Sequence, residues 1–117
     1  MKILMVLNDP PYGTERTYNG VRLAHNLLVK AEGLDVTVFL MGDAVAAAKT
    51  GQQTPTGYYN LERMLKGVAA KQGRVLLCGS CMDARGLRDD DIVAGCRRSS
   101  LDELTEASLR ADRVIVF

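Results

Sequence analysis

Residues 2–14 read KILMVLNDPPYGT. The run Lys2 to Asn8 is apolar almost without interruption, and Asp9-Pro10-Pro11 closes it. A strand with one wet face alternates apolar and polar residues. A continuous run instead suits a strand covered on both faces, as in a parallel sheet. Proline donates no ladder hydrogen bond, so the strand ends there and Asp9 to Thr14 reads as a loop. The period then changes. From about Glu15 to Glu32, Val21, Ala24, Leu27, Leu28 and Ala31 fall on one helical stripe, and Gly33 stops the helix. Strand, turn and helix make the first unit of an α/β fold.

The rest of the chain repeats that alternation. Asp35 to Met41 (DVTVFLM) is β-branched and aromatic and reads as a strand. Gly42-Asp43 opens a short Ala-rich helix. Thr50 to Gly57 (TGQQTPTG) is the most loop-like stretch and reads as a surface loop. Tyr59 to Gln72 is helical, with Leu61, Met64, Leu65, Val68 and Ala69 on one face, and Gly73 ends it. Arg74 to Cys78 is a third strand, and Ser80 to Arg85 one or two helical turns before Gly86. Leu87 to Arg98 is ambiguous; its centre, Ile92 to Cys96, suits a short strand. Ser100 with Glu103 forms a capping-box pattern that opens a helix to about Ala111. Arg113 to Phe117 is a last strand. Such an order predicts an α/β sandwich with a mostly parallel sheet and right-handed crossovers.

The chain has 117 residues, suited to a single domain over residues 1–117. Its net charge is +1 with no run of like charges, which argues against a dedicated nucleic-acid surface. The first apolar run is too short to span a membrane and has no cleavage-site pattern after it. With three cysteines (Cys78, Cys81, Cys96), this predicts a protein of the reducing cytoplasm. There is no glycine-rich nucleotide motif, and no cofactor is expected.

Ligands of parallel sheets bind at the carboxyl ends of the strands. Two loops with chemistry leave those ends: Asn8 to Thr14, and Cys78 to Cys81. The cysteines admit four readings. Cys78 can be a reactive thiol, since it ends a strand and meets a helix start whose N–H groups favour a thiolate. Gly79 beside it allows close approach of a partner. Cys78 and Cys81 can instead form a thioredoxin-like dithiol, although no aromatic flanks the pair. A closed zinc site needs four ligands, and beyond the three cysteines the chain offers only the distant His25, so no metal is expected. Finally, free cysteines are often small buried apolar residues, which is the favoured reading for Cys96. His25 reads as a solvated or packed helix residue, Asp89-Asp90-Asp91 as an exposed turn, and Tyr58-Tyr59 as cleft lining or aromatic packing.

Three segments also resemble a known family. NDPPYGTERTYNGVRLAHNLL, LLCGSCMDARGLRDDD and SSLDELTEASLRADRVIVF are similar to the first helix unit, the cysteine segment and the closing helix and strand of the DsrE/DsrF-like family. Within that family they look most like its DsrE-like and TusD-like sulfur-carrier subunits. The resemblance implies a five-stranded α/β/α sandwich, trimers or hexamers, and sulfur transfer through a cysteine persulfide. Spaced back from Arg85-Gly86, the family's sulfur-accepting cysteine falls on Cys78. The chain departs from the relay subunits in being shorter between the cysteine segment and the closing helix, and in carrying Cys81.

The combined expectation is a homo-oligomeric sulfur-handling protein with donor and acceptor proteins as partners. Cys78 carries the sulfur, and the amides of Gly79 and Ser80 stabilise it. Asn8 to Thr14 forms the facing wall, with Tyr12 near the sulfur and Asn8 at its start. Cys81 is either a resolving thiol or a spectator. The alternatives are a dithiol oxidoreductase using Cys78 and Cys81, and a non-catalytic oligomeric binding module.

Overall fold

The computed structural model describes residues 1–55 and 58–117. Five strands form one sheet: β1 (Lys2–Leu7), β2 (Asp35–Leu40), β3 (Arg74–Cys78), β4 (Cys96–Ser99) and β5 (Arg113–Val116). Their order across the sheet is β4-β3-β2-β1-β5, and every pairing is parallel. Four α-helices connect them: α1 (Arg16–Lys30), α2 (Leu61–Ala70), α3 (Gly79–Ala84) and α4 (Leu101–Arg110). The sheet is therefore more regular than expected, parallel throughout.

The layers follow from handedness. The chain steps from β1 to β4 in one direction, then returns to the far edge for β5. Right-handed crossovers put the returning helix, α4, on the opposite face from α1. Packing agrees. Gly20 of α1 lies so close to Leu7 that a side chain there would collide with it. On the other face, Leu4, Thr37 and Leu76 line a cavity of about 200 Å³ with Glu103 and Ala107 of α4. Leu4 and Leu7 point to opposite faces, as pleating requires. Both faces of the central strands are covered, which is why β1 reads as a continuous apolar run. Phe39, Leu4, Met5, Leu7, Leu40, Leu65 and Leu77 are fully buried. Each such side chain contributes about 1.5–3 kcal/mol of transfer free energy.

Several boundaries move for identifiable reasons. The Ala-rich segment is a 3-10 helix over Gly42–Ala48. α2 begins at Leu61, because Tyr59 sits at φ 62 and Asn60 caps the helix, its side chain accepting from the Arg63 N–H at 3.1 Å. The fourth strand is Cys96–Ser99, not Ile92 to Cys96. Ile92 bridges antiparallel to Lys49, and the Val93 N–H donates to the Ala48 carbonyl. Gly95, at φ 94, then turns the chain into β4. Ser100 caps α4 by accepting from the Glu103 N–H at 3.2 Å, but Glu103 does not complete the box. Its carboxylate is taken by Arg97 at 2.5 Å and by the Ser99 hydroxyl. The expected loop Thr50 to Gly57 includes residues 56 and 57, which lie outside the described residues. No helix among the described residues is long and apolar enough to cross a membrane.

Candidate functional site

β3 ends at Cys78 and α3 begins at the next residue, so Cys78 occupies the position that caps α3. It is buried, 7% exposed, and its Sγ lies 3.3 Å from Ser80 Oγ. Cys81 follows one helical turn later and is half-buried. Its Sγ accepts a hydrogen bond from the Gly42 N–H at 3.2 Å. Gly42 starts the 3-10 helix after β2 at φ 55, a conformation that suits glycine. All three cysteines are free thiols.

The thiols differ because their surroundings differ. Burial of Cys78 works against its charged form. The Cys81 and Ser80 side chains and the N–H groups of Cys81 and Ser80 outweigh it, so the thiol lies below the ordinary range. Cys81 is pushed up, by burial first, then by donating its proton toward Cys78 and by the negative charge there. The Gly42 N–H and the Arg85 charge oppose that rise. Burial alone pushes Cys96 to about 11. The dithiol thus has an order: Cys78 ionises before Cys81.

The N–H groups of Ser80 and Cys81 favour the Cys78 thiolate, and the Cys78 side chain closes no cap hydrogen bond. A capping side chain faces the second and third amides of its helix. Gly79 is closely packed. A Cβ there would lie 2.9 Å from the Ser99 carbonyl and 3.1 Å from an Arg98 nitrogen.

Two arginines fasten α3 from opposite sides. Arg98 donates to the Gly79 carbonyl at 3.1 Å, to Asp83 at 3.0 Å and to Asp89 at 2.7 Å. Arg85 pairs with Asp43 at 2.8 Å and donates to the Cys81 carbonyl at 3.0 Å. Neither arginine was singled out as a site residue from sequence, nor was Gly42 as a donor. The signal that would have found Gly42 is strand order: β2 neighbours β3, so the loop leaving β2 borders the cysteines.

The loop after β1 is held by hydrogen bonds to α2 and to Phe117, the residue after β5. The Tyr12 hydroxyl donates to Gln52 and accepts from the Leu61 N–H at 3.4 Å, tying the loop to the start of α2. The Asn8 side chain donates to the Phe117 carbonyl at 3.1 Å. No hydrogen bond among the described residues joins Tyr12 or Asn8 to either cysteine. The Asn8 carbonyl borders the site: it would lie 3.6 Å from a Cβ on Gly42. His25 packs in the groove between α1 and α2, where Gly67 leaves room for it. Tyr59 stacks on Tyr18 with ring centroids 4.4 Å apart, and both line a cavity of about 500 Å³. Asp89–Asp91 is a 3-10 turn, with Asp89 held by Arg98 and the Asp91 carboxylate accepting from the Arg88 N–H. Among the described residues, no three His, Cys, Asp or Glu side chains converge as metal ligands.

Comparison with known proteins agrees with this architecture. Protein YchN of Escherichia coli strain K12 is 40% identical over 116 residues, covering 99% of this chain and 98% of that protein. The crystal structure of the E. coli ychN protein superposes with a TM-score of 0.95 at 39% identity, covering 100% of this chain and 99% of that one. Sulfurtransferase TusD of Salmonella typhi is 27% identical over 129 residues and covers 100% of both chains. The sequence profile of the DsrE/DsrF-like family matches residues 1–117, and the chain belongs to that family.

Proposed function

We propose that this protein is a cytoplasmic sulfur carrier that accepts sulfane sulfur on Cys78 and passes it to an acceptor thiol. In the loading step the Cys78 thiolate attacks the outer sulfur of a donor persulfide. The donor S–S bond breaks, the donor leaves as a thiolate, and Cys78 holds the persulfide; the reverse reaction on an acceptor thiolate unloads it. The observation that carries this reading is the lowered thiol of Cys78 at the end of β3, faced by the donors of Ser80 and Cys81. Family membership and the similarity to a sulfurtransferase support it. A homo-oligomer fits the apolar side chains left outside: Leu109 is 82% exposed, and Val116 on the edge strand β5 is 63% exposed.

A second reading, a dithiol oxidoreductase, is favoured by the interaction of the two thiols. Intact mass after exposure of the reduced protein to a persulfide donor separates the two. In Cys81→Ser a carrier gains one sulfur, about 32 Da, while Cys78→Ser gains none. An oxidoreductase, which needs both thiols, loses about 2 Da in the wild type as its disulfide closes and adds no sulfur in Cys81→Ser. Stoichiometric sulfur uptake by Cys78→Ser would sink the carrier reading.

A further inference from the structure

We propose that Cys81 is a resolving thiol, which cleaves the persulfide on Cys78 and makes this carrier a releaser of hydrogen sulfide. The inference rests on the reading of Cys78 as the sulfur acceptor. It assigns Cys81 a reaction where the sequence leaves it open between resolving thiol and spectator.

The step balances internally. Cys81, as thiolate, attacks the inner sulfur of the Cys78 persulfide. A Cys78–Cys81 disulfide forms, and the bond from the inner to the outer sulfur breaks. The outer sulfur leaves with the electron pair and takes up the proton that Cys81 gave up, departing as hydrogen sulfide. The outer sulfur is reduced and the two cysteine sulfurs are oxidised. No external oxidant takes part, and a dithiol reductant restores the thiols for another round.

The geometry supports an attack on the inner sulfur. Cys78 stands at the N-cap of α3 and Cys81 is the third residue of that helix, so the two thiols share one turn, and the Cys78 sulfur becomes the inner sulfur once a persulfide forms. Both residues sit on one rigid turn, so the encounter is intramolecular and carries a high effective concentration. Cys81 is also equipped to be a nucleophile. The Gly42 N–H donates to its Sγ at 3.2 Å and stabilises the charge that forms there. Asp43, next to that amide, is held by Arg85 at 2.8 Å, and Arg85 also fixes the Cys81 carbonyl at 3.0 Å. A spectator thiol needs none of this. Cys96 is the internal comparison: nothing but burial acts on it.

The test loads the reduced protein with inorganic polysulfide under anaerobic conditions, removes the excess, and follows intact mass and trapped sulfide together. Wild type, Cys81→Ser and Cys81→Ala run in parallel; the serine hydroxyl can still donate to Cys78, and alanine checks that result. The wild type should end about 2 Da lighter, with one sulfide released per disulfide and a rate independent of protein concentration. Both Cys81 variants should hold the gain of about 32 Da and release no sulfide without added reductant. A wild-type persulfide as long-lived as that of the variants would overturn the inference and leave the carrier reading standing. So would sulfide release that accelerates with protein concentration. A disulfide without sulfide would favour the oxidoreductase. No sulfur on any of the three proteins would remove the carrier reading, and this inference with it.

Discussion

Gly79→Ala tests whether the cysteine turn is held by close packing against β4. The added Cβ would meet the Ser99 carbonyl at 2.9 Å, and an Arg98 nitrogen and carbon at 3.1 and 3.2 Å. The carbonyl belongs to the backbone of a paired strand and cannot step aside alone. Arg98 is an arginine, normally flexible, but Gly79, Asp83 and Asp89 all hold it. α3 must therefore shift away from β4. Overpacking of this kind costs about 1–3 kcal/mol. Alanine recovers up to about 1 kcal/mol of helix propensity, less in a first turn. The steric effect wins, leaving a net loss of about 1–2 kcal/mol, or roughly 4–8 °C in Tm for a domain of this size. Urea and thermal unfolding measure that loss. Alkylation of Cys78 near neutral pH supplies the second readout, because a shifted α3 moves the Ser80 and Cys81 amides off the sulfur. Gly33→Ala is the control. Gly33 lies at φ 73 with open space around it, so its alanine variant is strained but leaves Cys78 alkylation unchanged. A Gly79→Ala protein with wild-type midpoint and wild-type alkylation would refute the reasoning.

Three further outcomes are expected. Site-resolved alkylation across pH should label Cys78 first and Cys96 last, and Cys81→Ala should raise the Cys78 midpoint; Cys96 reacting first would contradict the burial that holds it near 11. Glu103 is held down to about 2, by the Arg97 guanidinium first and then the Ser99 hydroxyl. Its folded value lies below its unfolded one, so its stabilisation is present above about 4.5 and lost as pH falls toward about 2. The carboxylate is 35% exposed, so solvent screening limits the effect to about 1 kcal/mol or less. Acid titration of unfolding free energy in Glu103→Gln should be flatter over that window, and a curve parallel to wild type would remove the pair's role. Leu65→Ala, at a fully buried site, should cost about 2–5 kcal/mol, while Leu109→Ala on the outer face of α4 should stay within about 0.5 kcal/mol in the monomer. Equal losses from the two in denaturant titrations would mean that Leu109 is covered by another subunit.

What the sequence made legible follows the range over which each signal acts. β1, β2 and β3 declare themselves because both of their faces are covered, so a short window of residues suffices. α1 and α2 announce their apolar stripes and glycine stops locally, but not the Asn60 cap that starts α2 at Leu61. The stretch from Ile92 to Cys96 misleads for the same reason. Its apolarity is real, but Ile92 and Val93 are used against Lys49 and Ala48, across a distance in sequence that no local window spans. β4 is instead CRRS, whose arginines hide it: Arg97 serves Glu103, and Arg98 serves Gly79, Asp83 and Asp89. Cys78 was legible as a strand-end thiol. The hydrogen bonds of Tyr12 were not legible, because a loop residue takes its partners from elsewhere in the fold, here Gln52 and Leu61, and neither is marked in sequence.

The three cysteines show how one side chain acquires three chemistries within a small protein. Cys96 has burial without donors, and its thiol is driven up to about 11. Cys78 has burial, opposed by the side chains and N–H groups of Cys81 and Ser80, and its thiol is lowered. Cys81 has burial and the neighbouring Cys78 thiol, with the Gly42 N–H and the Arg85 charge in partial compensation, so its thiol is raised and ionises after Cys78. This order gives direction to chemistry at the site. The first nucleophile presented to a sulfur donor is Cys78. Under the carrier reading, loading moves the negative charge one sulfur outward and turns the Cys78 sulfur from a nucleophile into the inner, electrophilic atom of an S–S bond. Cys81 keeps the Gly42 N–H on its Sγ and the Arg85 charge nearby, so the second thiol of the turn has a donor in place when an electrophilic sulfur stands beside it.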